Sequence, residues 1–128
     1  MNTNNLKMKK LSIVVSLFNE EESLPHFYKA LLSELEMVDV EYEILFVNDG
    51  SSDSSYEIIN QLVQKNPHVR AIHFSRNYGH ESAMLAGIDL CKGDAVICMD
   101  ADLQHPPSMI PKMVSLMNEG YDVINMVR

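Results

Sequence analysis

Hydrophobic positions alternate between two periods along this chain. Residues 11–17 (LSIVVSL) form a short, β-branched run, the pattern of a strand buried on both faces. Leu24, Phe27, Tyr28, Leu31, Leu32 and Leu35 follow at helical spacing and predict one apolar helix face. Ser23 is the expected N-cap, and Pro25 falls in the first turn, where its missing N–H costs nothing. The same pair of patterns then recurs. Residues 43–48 predict a second strand. A helix with Tyr56, Ile59, Leu62 and Val63 inward runs to about Lys65, capped by Ser52 or Asp53 and stopped by Asn66-Pro67. Residues 69–74 predict a third strand, and a third helix carries Ala83, Met84, Ala86, Gly87 and Leu90. Gly93 precedes a fourth strand at residues 95–99. A fourth helix, about residues 107–119, turns Ile110, Met113, Val114 and Met117 inward and ends at Gly120. Residues 121–127 predict a fifth strand.

Strand–helix alternation of this kind predicts an α/β fold with three layers, α/β/α. Right-handed crossovers would build a mainly parallel, Rossmann-like sheet with helices on both faces, in a single domain over residues 1–128. Ligands of such sheets bind beyond the carboxyl ends of the strands. The loops after the first four strands are therefore where function is expected.

Composition narrows the classes. A chain of 128 residues, 46% hydrophobic, buries enough surface to fold without disulfides or metal staples. Eighteen acids against ten bases give a net charge of −8, which excludes the basic face that a nucleic-acid partner requires. The longest apolar run, residues 95–99, is far short of the ~20 residues that span a bilayer. Residues 11–15 are too short and too strand-like for a signal peptide. Cys91 and Cys98 lack a second pair to complete a zinc site and are expected as buried free thiols in a reducing, cytoplasmic setting.

Candidate chemistry sits in the expected loops. Asp100-x-Asp102 follows the fourth strand, and two hard carboxylates at a strand end suit Mg²⁺ or Mn²⁺; an N-cap plus a solvated acid is the plain alternative. In Asn48-Asp49-Gly50-Ser51-Ser52-Asp53, Gly50 permits a tight turn and Asp49 can accept from a ribose hydroxyl or a base N–H; simple capping of the second helix is the alternative, and Asp53 is assigned to it. Arg76, a lone base in a strand-end loop, suits a phosphate or base contact or else a surface ion pair. Of the histidines, His26, His68 and His73 read as structural, while His80 and His105 lie in ligand-side loops. Glu20 alone of the run Glu20–Glu22 is near enough to a strand end to be suspected. Neither a G-x-G-x-x-G nor a Walker A pattern is present.

Taken in order, SIVVSLFNEE (12–21), ILFVNDGSSD (44–53), SRNYGH (75–80), MDADLQHPP (99–107) and GYDVINMVR (120–128) resemble the family 2 glycosyltransferases of the GT-A fold. The pairing of S-R-N-x-G with D-A-D-L-Q-x-P-P is similar to the branch holding dolichol-phosphate mannosyltransferase and the bacterial polyprenyl-phosphate glycosyltransferases of cell-envelope synthesis. The resemblance implies a nucleotide-sugar donor and a Mg²⁺ or Mn²⁺ ion. Asp102 would hold the cation, with Asp100 near the ribose or the metal. Asp49 and Arg76 would contact the base, with Asn48 in the same motif. Asn19 and Glu20 would line the nucleotide pocket, and Gln104 would lie near the donor sugar. It further implies inversion by direct displacement and a lipid-phosphate acceptor at the cytoplasmic face of a membrane. The acceptor site, any base and the membrane-associating parts lie beyond residue 128 in that family, so the chain is expected to be the donor-binding portion. Two positions depart from the family pattern: Ser16-Leu17-Phe18 stand for its Pro and Tyr, and Asn48 for an aspartate. Two other classes share features with the chain. A receiver-type phosphoacceptor has similar length and acidity, and a haloacid-dehalogenase-like phosphatase carries a D-x-D nucleophile motif.

Overall fold

Among the described residues five strands, β1 (Lys10–Leu17), β2 (Glu41–Asn48), β3 (Val69–His73), β4 (Ala95–Asp100) and β5 (Val123–Asn125), pair in the order β3-β2-β1-β4-β5, every pair parallel. They alternate with four helices, α1 (Leu24–Leu35), α2 (Ser55–Lys65), α3 (His80–Leu90) and α4 (Ile110–Asn118), the last entered through a single 3₁₀ turn at Pro107–Met109. This computed structural model describes residues 9–102, 106–118 and 123–125. The expected α/β/α architecture is therefore the observed one.

Burial follows the strand pleat, in which successive side chains take opposite faces. Leu11, Ile13, Val15 and Leu17 of β1, with Ile44, Phe46, Ile97 and Met99 of its neighbours, form the larger core. Leu24, Phe27, Leu31 and Leu35 of α1, Ile59 of α2 and Ile110, Met113, Val114 and Met117 of α4 close over it. The alternate residues Val14, Leu45, Val47, Val96 and Cys98 face the other way and meet α3. Cys98 is buried, which pushes its thiol up to about 11; Cys91 is only half-buried, against expectation.

α3 packs on its face through Ala83 and Gly87. A Cβ at Gly87 would lie 2.3 Å from Val14 Cγ1 and 3.2 Å from Val47 Cγ2, so the missing side chain is what lets the helix approach the sheet. Gly87→Ala should lift α3 and cost about 1–3 kcal/mol of stability, read from the urea unfolding midpoint. An unchanged midpoint would contradict this packing.

One expectation is corrected here. Tyr56 is exposed rather than inward, its ring 4.2 Å from that of His73. Leu90, at the last turn of α3, is also exposed. Ser23 occupies the N-cap position but makes no side-chain cap bond; its hydroxyl lies 2.9 Å from both Glu20 Oε1 and the Ala101 carbonyl, tying the start of α1 to the end of β4. Among the described residues no helix is long and apolar enough to cross a membrane.

Candidate functional site

The chain builds outward from β1 to β3, then crosses back to lay β4 on the other edge of β1. Loops leaving β1 and β4 diverge at this point, the place where open α/β sheets bind ligands. A cavity of about 270 Å³ opens there, with Ser16, Glu20, Asp49, Gly79, His80 and Asp100 in its walls. Ladder bonds hold the strand ends together: the Asp49 N–H donates to the Leu17 carbonyl at 2.9 Å, and the Ala101 N–H to Ser16 at 3.4 Å. Side chains then leave the sheet at fixed positions.

The first two loops are stitched to each other. Asn19 takes the left-handed conformation (φ 53°), which Asn tolerates better than most residues. Its Oδ1 accepts from the Ser52 and Asp53 N–H groups, and its own N–H donates to Ser51 Oγ at 2.9 Å. The Glu20 N–H donates to Ser55 Oγ, the Glu21 N–H to Asp53 Oδ2, and the Ser54 N–H to Glu21 Oε1. Asp53 Oδ1 also accepts from the N–H of Ser55, the first residue of α2, but the N-cap itself is Ser54 and not the Ser52 or Asp53 expected. Asn19 is thus turned into this clasp rather than into the cavity wall, which Glu20 does reach.

Asp49 is buried and lines the cavity, yet its carboxylate also has a local task. Its oxygens accept from the Tyr78 N–H at 2.7 Å and the Gly79 N–H at 3.0 Å, fixing the loop after β3. Gly50 beneath this loop has φ 74°, and a Cβ there would fall 2.2 Å from the Arg76 carbonyl carbon. Arg76 itself is exposed, its guanidinium 4.7 Å from the centre of the Tyr78 ring, and it stands outside the cavity wall while Asn77 and Gly79 are in it.

Asn48, too, points away from the cavity. Its Oδ1 accepts from the Ser51 N–H at 3.1 Å, and its amide nitrogen lies 3.0 Å from His73 Nδ1. His73 Nε2 lies 3.0 Å from Asn60 Oδ1. One assignment satisfies every group: Asn48 donates to a bare Nδ1, and Nε2–H donates to Asn60. A neutral imidazole is required, and burial holds His73 below the ordinary histidine range. An amide rather than an aspartate is what this arrangement needs at position 48. Asn48→Asp should raise the His73 pKa, since a carboxylate facing Nδ1 favours the imidazolium; an NMR titration of the ring protons that finds no rise would contradict the network.

Asp100 is buried at the end of β4. Parallel register sets it beside Ser16, which donates to Asp100 Oδ1 at 2.9 Å, and His80 Nε2 lies 2.7 Å from the same oxygen. Asp102 is half-buried in the turn just beyond, outside the cavity wall. Gln104 lies outside the described residues. Among the described residues no three His, Cys, Asp or Glu side chains converge to hold a metal unaided. The donor type present fits an ion that takes one or two carboxylates and completes its shell with phosphate and water, the habit of Mg²⁺. Ser16 and His80 are the parts that sequence reasoning passed over or ranked low. A serine inside an otherwise apolar buried strand was the available signal for the first.

Residues 12–128 match the profile described as glycosyl transferase family 2. Among solved structures, a mannosyltransferase from Pyrobaculum calidifontis in complex with GDP-Man and Mn²⁺ shares 17% identity over 88% of this chain and 31% of its own, with a TM-score of 0.68. S. aureus TarS, residues 1–349, in complex with UDP-GlcNAc shares 19% identity over 86% of this chain and 31% of its own, also at 0.68. The chain spans about a third of the length of these structures. At such identity they show the fold, the GT-A arrangement. The sheet order also departs from the 2-1-3-4-5 order of receiver-type domains, and the D-x-D acids leave β4 rather than the first strand that a dehalogenase-like nucleophile requires. The chain belongs to glycosyl transferase family 2.

Proposed function

We propose that the cavity between β1 and β4 binds the nucleotide end of a nucleotide-sugar donor together with Mg²⁺ or Mn²⁺, and that the chain is the donor-binding portion of an inverting glycosyltransferase. The observation that carries this reading is the gathering of Glu20, Asp49 and Asp100 around one cavity at the switch point of the sheet. Three carboxylates repel a bare diphosphate, so an anionic donor needs a cation with it. Asp100 and Asp102 would hold that ion, and it would supply neutralisation of the charge that develops on the departing diphosphate.

The chain's own residues do the rest. Asp49 fixes the loop bearing Tyr78 and Gly79 and keeps acceptor capacity for a base N–H. Arg76 and Tyr78, stacked beside the cavity, offer a cation and a ring face to the nucleotide. Asn19 and Asn48 act at one remove by shaping the loop that carries Asp49, and the role we propose for Gln104, which lies outside the described residues, is contact with the donor sugar. A volume of about 270 Å³ suits the nucleotide end rather than a whole nucleotide sugar. In the reaction the bond from the anomeric carbon to the diphosphate oxygen breaks while a bond to the acceptor oxygen forms on the opposite face, inverting that centre. The acceptor we propose is a polyprenyl phosphate at the cytoplasmic face of a membrane. Its oxygen is already ionised, so no strong base is needed.

Support comes from family membership and from the GDP-Man with Mn²⁺ and the UDP-GlcNAc bound in the two similar structures. Calorimetric titration with GDP-mannose and with UDP-GlcNAc, each with and without Mn²⁺, tests the reading. Binding of at least one donor that requires Mn²⁺ is expected. A folded sample that binds neither would count against it.

A further inference from the structure

We propose that His80 is a positioning residue for Asp100 and sets how tightly the cavity holds a divalent cation with a nucleotide diphosphate. The inference rests on the nucleotide-sugar reading above. His80 Nε2 lies 2.7 Å from Asp100 Oδ1, the oxygen that also accepts from Ser16 Oγ at 2.9 Å. All three residues line the cavity. Two partners from different elements, β1 and α3, therefore converge on one carboxylate oxygen of β4. A carboxylate tethered twice at one oxygen keeps a single orientation, and the ordering cost is met before any ligand arrives.

The place of His80 is itself fixed. Asp49 pins the Tyr78 and Gly79 N–H groups, Gly79 turns with φ 109°, and the Gly79 carbonyl accepts the first helical bond, from Ala83, at 3.1 Å. His80 is the next residue, so the end of β2 aims it at the end of β4. Its side chain is 54% exposed, too open to serve mainly as core packing. Among the described residues, the directed contact of its ring is to the carboxylate that we place at the cation.

Calorimetry with Mn²⁺ and GDP, and with Mn²⁺ and UDP, tests this on the wild-type chain and on His80→Ala, His80→Gln and Ser16→Ala. His80→Ala should weaken binding about 10-fold with an unchanged unfolding midpoint, the scale seen for partners that orient metal ligands. Ser16→Ala, which removes the other tether, should weaken it in the same sense. His80→Gln keeps an N–H donor of similar reach and should recover most of the loss. In the metal-free protein, ¹⁵N shifts of the His80 ring should report a hydrogen-bonded Nε2–H that is lost in Asp100→Ala. His80→Ala binding as tightly as wild type, His80→Gln no better than His80→Ala, or ring shifts indifferent to Asp100→Ala would each overturn the role. Failure of the wild-type chain to bind either nucleotide would overturn the nucleotide-sugar reading and this role with it, a result distinguishable from loss in the variants alone.

Discussion

Asp100→Asn should lower the Mn²⁺-dependent affinity for a nucleotide sugar by on the order of 100-fold or more, at little cost to the fold. The asparagine is isosteric, and its Oδ1 still accepts from Ser16 and His80, so the local geometry around β4 is retained. Only the charge is removed. Loss of groups that merely orient a metal ligand costs about 10–100-fold in metal affinity, and a ligand itself belongs at or beyond the upper end. Stability should hold or rise slightly, because Asp100 shares its cavity with the carboxylates of Glu20 and Asp49. Asp102→Asn should act in the same direction. Calorimetry with and without Mn²⁺ separates the two components. A variant that binds as tightly as wild type would remove Asp100 from the cation site.

The largest effect on stability is expected at the opposite end of the sheet. Glu43 is a buried charge on β2, set by register beside Ser12 of β1. Its carboxylate accepts from the Ser12 hydroxyl, the Lys92 N–H and the Arg70 guanidinium, while Arg70 also donates to the Leu90 carbonyl and the Gly93 N–H donates to Ser12 Oγ. One side chain thereby joins β1, β2, β3 and the turn before β4. Glu43→Ala should cost about 3 kcal/mol, the low end for breaking a buried pair, because Arg70 can still turn to solvent. Burial alone would raise the Glu43 pKa, but the bonds from Ser12, Lys92 and Arg70 outweigh it and hold the carboxyl below its ordinary value of 4.5. A depressed folded pKa means stability that is fully present above the unfolded value and lost as pH falls through the folded one. The stability gap between wild type and Glu43→Gln should therefore be full at pH 7, start to narrow near 4.5 and close below the folded pKa. Urea unfolding of both chains from neutral to acid pH measures it. A gap indifferent to pH would contradict the assignment.

The alternation of periods made the five strands and four helices legible, because each buried strand is a continuous apolar run and each helix carries one apolar stripe. The stripe did not reveal which apolar residues stop at a rim. Tyr56 keeps helical spacing yet leans on His73 at the surface, and Leu90 falls on the outer side of a helix that packs through Ala83 and Gly87. The strand-end rule located Glu20, Asp49 and Asp100, since loop position follows from chain order alone. Ser16 and His80 depend on something chain order does not carry. β4 lies beside β1 rather than β3, and only that crossing, in one particular register, sets Ser16 next to Asp100. Asn19 and Asn48 have the residue type of ligand contacts, but their partners are the backbone of a neighbouring loop and a histidine at the end of the next strand. Short polar side chains serve both purposes equally well.

On our proposal, a nucleotide sugar and a divalent cation occupy the cavity between β1 and β4. Amide NMR of the ¹⁵N-labelled chain, titrated with GDP-mannose or UDP-GlcNAc and then with trace Mn²⁺, locates the ion directly through paramagnetic broadening. Broadening centred on Ser16, Asp49, Gly79, His80, Asp100 and Asp102, and dependent on the nucleotide sugar, is the expected result. Broadening centred elsewhere, or the same with and without nucleotide sugar, would contradict the account.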